Sequence, residues 1–369
     1  MEGEVKIKEW SNWGDGLGYA NDNPDKHGFA GPTSASGFCL LGTRNELRPP
    51  PGFATAGVTL FGFAEFFFVE IDSLGDPYLF ITDYHPQGTT YKGYLHKMSL
   101  AASTWGDSLG YVSYADRLAR PERYRGNWYF TELASAKRLR RLGTSYGTGT
   151  VTSGNISTDT ITDDTVASPV GGGHLALVNM KLERYLTDGS VSILPAEENP
   201  CTSALWGASF PVTDSSDPPL GTVGLLGAGY AYNARGLYSF NDIGQAGLVL
   251  EDLKPWSSRS SRGDLIITWK GGIVMSHQAG LFYVTPQSQP IPMGPDQRTE
   301  NMPIEPNSAV TAIRGGYWNG LASAGEWLYT LYSHPNETNH FVLGASNYDR
   351  SRDPTNMAWQ CLYNVSLPT

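Results

Sequence analysis

Apolar and aromatic residues along this chain fall in short runs, many alternating with polar residues, and Gly, Pro, Asn and Asp turn signals separate many of them. The runs at 58–63, 66–71, 78–83, 91–98, 128–131, 175–180, 190–194 and 223–226 read as strands. So do those at 230–232, 237–240, 265–268, 273–276, 281–285, 310–314, 327–332, 340–343 and 359–365. Gly75-Asp76-Pro77, Thr187-Asp188-Gly189, Asp217-Pro218-Pro219 and Lys270-Gly271-Gly272 lie between them, each rich in residues that suit tight turns. Only 132–142, short and rich in Ala and Arg, has helix-like composition. So little helix in 369 residues predicts an all-β protein.

Part of the pattern repeats. Ala234-Arg235-Gly236-Leu237-Tyr238 and Gln278-Ala279-Gly280-Leu281-Phe282 place their glycines 44 positions apart, from 236 to 280. A strand precedes each, and an aromatic strand leaves it, which is a hairpin recurring at the spacing of one four-stranded blade. Looser echoes are centred on Leu79, Tyr129, Leu177 and Tyr329. One such sheet cannot bury both of its faces, so neighbouring copies must stack. Residues 57–369 are therefore expected to form a β-propeller of roughly six to seven four-stranded blades, with tandem β-sandwiches as the alternative. Residues 1–56 read as an irregular N-terminal arm: 10–31 shows no period, 37–42 is a plausible strand, and Pro49-Pro50-Pro51 is a rigid extended link.

Composition narrows the function classes. Gly 43 and Pro 24 stand above ordinary usage, yet 40% apolar residues suffice for a core. Charged residues are 17% against a usual value of about 25%, as expected of a surface covered by neighbouring chains. The net charge of −10 argues against nucleic acid as a partner, since phosphate binding needs clustered Lys and Arg. The one basic run, Lys137-Arg138-Leu139-Arg140-Arg141, reads as a solvated strand or turn. Cys39, Cys201 and Cys361 have no Cys-x-x-Cys pairing and suit free thiols in a reducing cytoplasm. The opening residues 1–6 lack signal-peptide regions, and 58–71 is too short to span a bilayer and contains Glu65 and Glu70. No membrane insertion is expected.

Motif matches fail on context. Gly143-Thr144-Ser145-Tyr146-Gly147 has nucleophile-elbow spacing, but the Gly/Thr/Ser stretch behind it is not the helix that motif requires. Gly224-Leu225-Leu226-Gly227-Ala228-Gly229 has the wrong spacing for a dinucleotide loop. His334 and His340 flank a turn and read as a surface hairpin, not a zinc site. Asp159, Asp163 and Asp164, and likewise Asp214 and Asp217, lack a Ca²⁺ ligand spacing and read as solvated loops. Arg262-Gly263-Asp264 reads as the turn into a strand, and the sequons at Asn155, Asn336 and Asn364 have no expected use without export. Trp and Tyr side chains could stack on sugar rings, although most at strand spacing belong between blades. No catalytic residue, cofactor or metal is expected.

Several segments nevertheless carry a resemblance. Gly42-Thr43-Arg44-Asn45-Glu46-Leu47-Arg48-Pro49-Pro50-Pro51-Gly52, then Trp206-Gly207, and Asn233-Ala234-Arg235-Gly236-Leu237-Tyr238-Ser239-Phe240 belong to it. His277-Gln278-Ala279-Gly280-Leu281-Phe282-Tyr283, Ile291-Pro292-Met293-Gly294-Pro295-Asp296 and Trp359-Gln360 complete it. Together they resemble propeller-bearing, tail-associated proteins of tailed bacteriophages, departing from that pattern in the three prolines before Gly52. The resemblance implies a virion protein made in the host cytoplasm. It would sit at the tail or its fibres, assemble with itself or other virion proteins, and offer a rigid platform for assembly or for a host glycan or protein. The alternative is a carbohydrate-binding or glycan-hydrolysing propeller. If 5–8 pairs with 359–365 to close a ring, a chain lacking either end melts at a markedly lower temperature, and unchanged melting argues against closure.

Overall fold

The computed structural model describes residues 39–41, 46–48, 63–71, 75–87, 90–100, 104–113, 118–133, 139–142, 156–157, 173–200, 203–233, 235–241, 246–251, 265–277, 280–286, 290–294, 317–324, 327–333, 339–346 and 358–366. Among them the only helical segment is a 3-10 turn at Ser203–Leu205. A hairpin pairs Cys39–Leu41 (β1), inside the strand expected at 37–42, with Glu46–Arg48 (β2), which lies outside the expected strands.

Six four-stranded antiparallel meanders follow, each in sequential strand order. Blade 1 is Phe63–Ile71 (β3), Pro77–Gln87 (β4), Thr90–Ser99 (β5) and Thr104–Ser113 (β6). Blade 2 is Glu122–Tyr124 (β7), Asn127–Thr131 (β8), Leu139–Leu142 (β9) and Ile156–Ser157 (β10). Blade 3 is Gly173–Val178 (β11), Lys181–Leu186 (β12), Ser190–Leu194 (β13) and Ser209–Pro211 (β14). Blade 4 is Gly221–Leu225 (β15), Ala228–Tyr232 (β16), Gly236–Asn241 (β17) and Ala246–Glu251 (β18). Blade 5 is Ile266–Trp269 (β19), Gly272–His277 (β20), Gly280–Val284 (β21) and Ile291–Gly294 (β22). Blade 6 is Tyr317–Ala324 (β23), Trp327–Ser333 (β24), Asn339–Ser346 (β25) and Ala358–Ser366 (β26).

The fold is thus an all-β propeller type built of six described blades, and the sandwich alternative falls away. The helix-like composition of 132–142 is overridden at Leu139–Leu142, which pairs antiparallel with Tyr129–Thr131. The echoes at Leu79, Tyr129 and Tyr329 all lie in second strands, whereas Leu177 lies in a first strand and is not their equivalent. Trp359 and Val365 lie in β26, while 5–8 falls outside the described residues.

Two local devices recur from blade to blade. The first and second strands of blades 2 to 5 are joined by turns whose two central residues both have positive φ. They are Arg125 and Gly126 (48° and 79°), Asn179 and Met180 (46° and 63°), Leu226 and Gly227 (45° and 86°), and Lys270 and Gly271 (47° and 78°). This is the two-residue hairpin turn whose twist matches that of the flanking strands. The other device is a bulge between third and fourth strands, at Leu237/Tyr238 and again at Leu281/Phe282. These are equivalent positions of the 44-residue echo, so the repeat extends to the kink that coils each outer strand.

The chain divides into two compact units, Ala54–Lys254 with Ser260–Gly263, and Met1–Phe53 with Pro255–Arg259 and Asp264–Thr369. The first holds blades 1 to 4 and has three described cores, one for each pair of neighbouring blades. Phe66, Phe68, Tyr78, Phe80 and Leu95 meet Leu118, Phe130 and Trp128. Tyr124, Tyr129 and Leu139 meet Leu175, Leu182 and Leu194. Ala176, Val178, Tyr185 and Val191 meet Ala231 and Phe240. Successive residues of β11 therefore enter opposite cores, as the two-residue period of a strand demands. In the second unit, β19 lies against β23, and Ile266, Ile273, Val274, Met275, Leu281, Val284 and Leu328 are buried.

Polar groups also pair across these seams. The buried Glu70 carboxylate of blade 1 accepts the Arg123 guanidinium (2.9 Å) and the Trp128 indole N–H (2.8 Å) of blade 2. Between blades 3 and 4 the backbones themselves touch: a Cβ on Gly224 would stand 1.8 Å from the Leu177 carbonyl oxygen. Gly224→Ala is therefore expected to cost about 2–3 kcal/mol by prising β15 off β11. Glu70→Ala, which strands the Trp128 N–H, should cost about 2 kcal/mol and Glu70→Gln less. Urea unfolding of the full chain measures both.

Candidate functional site

Two polar places stand out in the four-blade unit. The first is a groove of about 320 Å³ formed where the long connection between β13 and β14 folds over the β7–β8 turn of the neighbouring blade. Tyr124 and Tyr129 lie at its floor, both almost fully buried, with ring centroids 6.2 Å apart. Asn127, Glu197, Glu198 and Asn199 line it, between Arg125 and Pro200.

The connection is tied down at several points. Glu198 N–H closes a turn on the Pro195 carbonyl (3.4 Å), which leaves Glu197 at φ 74°. That region suits glycine and is strained for any side chain. Glu197 stays there because both of its backbone groups are engaged. Its N–H donates to the Tyr124 hydroxyl oxygen (3.0 Å), and its carbonyl accepts the Arg125 guanidinium. Further along, the Trp206 indole donates to the Pro200 carbonyl (2.9 Å), and the Arg184 guanidinium sits 5.4 Å over the Trp206 ring. The groove wall is preorganised while the Glu197 and Glu198 side chains remain exposed.

The second place is at the starts of the first strands. Arg120, ahead of β7, donates to the Thr222 carbonyl of β15 (2.8 Å), reaching from blade 2 to blade 4. Thr131 donates to the Gly173 carbonyl (2.7 Å) and Thr222 to the Leu175 carbonyl (2.9 Å), so hydroxyls stitch successive blades. Burial pushes the Glu122 carboxyl up to about 7, against the pull of the Arg120 charge and the Arg123 N–H. Burial and the Arg120 charge bring the His174 imidazole down to about 3, although its ring is hydrogen bonded to the Pro219 carbonyl.

Other buried polar pairs serve packing. His96 Nε2 and Asp83 Oδ2 lie 3.0 Å apart inside blade 1, both buried. Tyr185 donates to Glu183 Oε2 (2.7 Å), and the two lie where a Cβ on Gly229 of the next blade would be. Burial, and then the Glu183 charge, raise the Tyr185 hydroxyl far above its ordinary value.

No family model matches the chain, and no curated protein matches it. Among solved structures it is similar to the β-propeller domain of Myceliophteria thermophila Cps50 (Swd1), at 11% identity and a TM-score of 0.43, over 76% of this chain and 83% of that one. It is also similar to the extracellular domain of a hybrid two component system from B. thetaiotaomicron, at 8% identity and a TM-score of 0.43, over 85% of this chain. The alignment spans 46% of that second domain, a little under half its length.

The residues singled out by sequence disperse. Gly224–Gly229 is the β15–β16 hairpin, with Leu226 and Gly227 as its turn. Asp214 accepts from the Ser216 side chain (2.7 Å) and backbone N–H (2.8 Å), which hold its carboxyl below the usual range. Asp217 lies 3.6 Å from Arg235. Asn233 Oδ1 accepts the N–H groups of Arg235 and Gly236 (2.9 Å each), so the Asn-x-Arg-Gly motif is a turn clasp. His340 pairs with Ser333 across β24 and β25, Cys39 lies in β1, and Cys361 and Asn364 lie in β26. Gly143–Gly147, Asp159, Asp163, Asp164, Arg262–Asp264, Asn155, Asn336, His334, Lys137, Arg138 and Cys201 fall outside the described residues. Among the described residues no group of three His, Cys, Asp or Glu side chains could hold a metal, and no helix is long and apolar enough to cross a membrane.

The inner cluster makes a pH prediction with a sign. Glu122 binds its proton more tightly folded than unfolded, so its stabilisation is full below about pH 4.5 and is lost as pH rises to about 7. His174 holds a proton less tightly when folded, so its contribution is present above about pH 6.5 and is lost as pH falls toward 3. The two slopes oppose between 4.5 and 6.5, and the cluster there contributes a plateau. His174→Leu should unmask a decline of melting temperature from pH 4.5 to 7, and Glu122→Gln should remove that decline. Arg120→Gln should raise the upper end of the Glu122 window and the lower end of the His174 window, which melts across a pH series will read.

Proposed function

We propose that this β-propeller is a binding and assembly platform without catalytic chemistry of its own, and that it serves as a tail- or fibre-associated component of a tailed-bacteriophage virion. The observation that carries the reading is the residue choice at two neighbouring hairpin turns. Met180 and Leu226 stand at positive φ with 73% and 77% of their surfaces exposed. An Asn-Gly pair would suit either turn better. Blade 3 has Asn179 but puts Met where Gly is favoured; blade 4 has Gly227 but puts Leu where Asn is favoured. The turns are adjacent, since a Cβ on Gly227 would lie 3.1 Å from the Asn179 amide nitrogen.

Each choice costs backbone ease and exposes an apolar side chain, which is understandable if another subunit covers it. The low charged content, 17%, supports the same reading, as does the resemblance of Gly42–Gly52 and Asn233–Phe240 to phage tail proteins. Mass spectrometry of purified particles tests it: the chain should be present at fixed copy number, and its absence overturns the virion assignment. Met180→Gly with Leu226→Asn, which makes both turns Asn-Gly, should raise stability by about 0.5–1 kcal/mol per site and reduce incorporation into particles. Undiminished incorporation would remove these turns from the docking surface.

A further inference from the structure

We infer that the groove between the β7–β8 turn and the β13–β14 connection is a binding site for an uncharged saccharide of one or two rings. The inference rests on the platform reading and names one class of ligand for it. The groove's size, about 320 Å³, falls at the lower end of the range for small-molecule sites. Its wall carries planar amide and carboxylate groups, on Asn127, Asn199, Glu197 and Glu198, which pair with adjacent hydroxyls of a sugar ring through two parallel hydrogen bonds. Its floor is the Tyr124–Tyr129 pair, and because both rings are almost fully buried the sugar is held by the polar wall and not by ring stacking. Tyr124 accepts the Glu197 N–H through its oxygen, which leaves its own hydroxyl proton to donate.

Charge selects against the obvious competitors. Two exposed carboxylates face one guanidinium, and Arg125 already donates to the Glu197 carbonyl. Phosphorylated or acidic-sugar ligands would meet net negative charge. Glu197 is also placed against its own conformational preference: a turn at φ 74° would be easier with glycine. The chain keeps a carboxylate there, on a residue of the groove wall whose backbone is fixed by the bonds to Tyr124 and Arg125. Stability is set aside where a ligand contact is gained.

The test uses the full chain. A printed array of neutral, amino and acidic glycans is followed by saturation-transfer NMR and calorimetry with free glucose, galactose, N-acetylglucosamine and their β1–4 dimers. Binding of a neutral sugar at millimolar or tighter affinity is expected, unaffected by EDTA. Glu197→Gly should melt at the same or a higher temperature yet weaken binding at least tenfold; Glu198→Ala should weaken it comparably with melting unchanged. Silence toward every neutral sugar, preference for acidic glycans, loss on EDTA, or full binding by both variants would each overturn the saccharide site. Presence or absence in virions is read separately, so the platform can stand while the saccharide site fails.

Discussion

Laying one four-stranded sheet against the next is what the described cores of this protein depend on. A single blade has two faces and no means of covering either. Leu175 of β11 enters the core shared with blade 2, while Ala176 and Val178 on the other side enter the core shared with blade 4. Blades 2 and 3 are therefore held on both sides. Blade 1 shows the converse along β3: Phe66 and Phe68 are buried against blade 2, whereas Phe67, Val69 and Ile71 are exposed.

Stacking of this kind governs which polar groups are tolerated. The Glu70 carboxylate is met from across its seam by Arg123 and Trp128, and Glu183 is met by Tyr185 of its own strand. Hydroxyls reach a neighbouring blade's carbonyls, as Thr131 does to blade 3 from one side and Thr222 from the other. Where the backbones come closest no side chain is admitted, and β15 carries Gly224 against Leu177. Rigid seams in turn steady the connections at the blade ends. The saccharide groove is one such place: a turn from one blade and a connection from the next, joined by backbone bonds to Tyr124 and Arg125.

Much of the architecture was readable along the chain because strands are local. Alternation at 66–71, turn residues at Lys270-Gly271-Gly272, and the Gly236/Gly280 echo each depend on neighbours only a few positions apart. Short strands such as β7 and β10 left little signal, and β9 was obscured by the Ala/Arg composition around it, which favours helix until β8 supplies a partner. The site residues left less still. Glu197-Glu198 reads as two acids in a polar loop, and Arg125-Gly126 as an ordinary turn.

From residues alone came the all-β class, the blade-sized repeat and the failure of each catalytic motif on its context, since these rest on periods and spacings within one hairpin. Folding settled which side chains meet: Tyr124 with Glu197, Arg120 with Thr222, and Glu70 with Trp128. Those partners stand 73, 102 and 58 positions apart. Contacts that cross a seam depend on how two sheets are turned toward each other, and no local pattern encodes that angle.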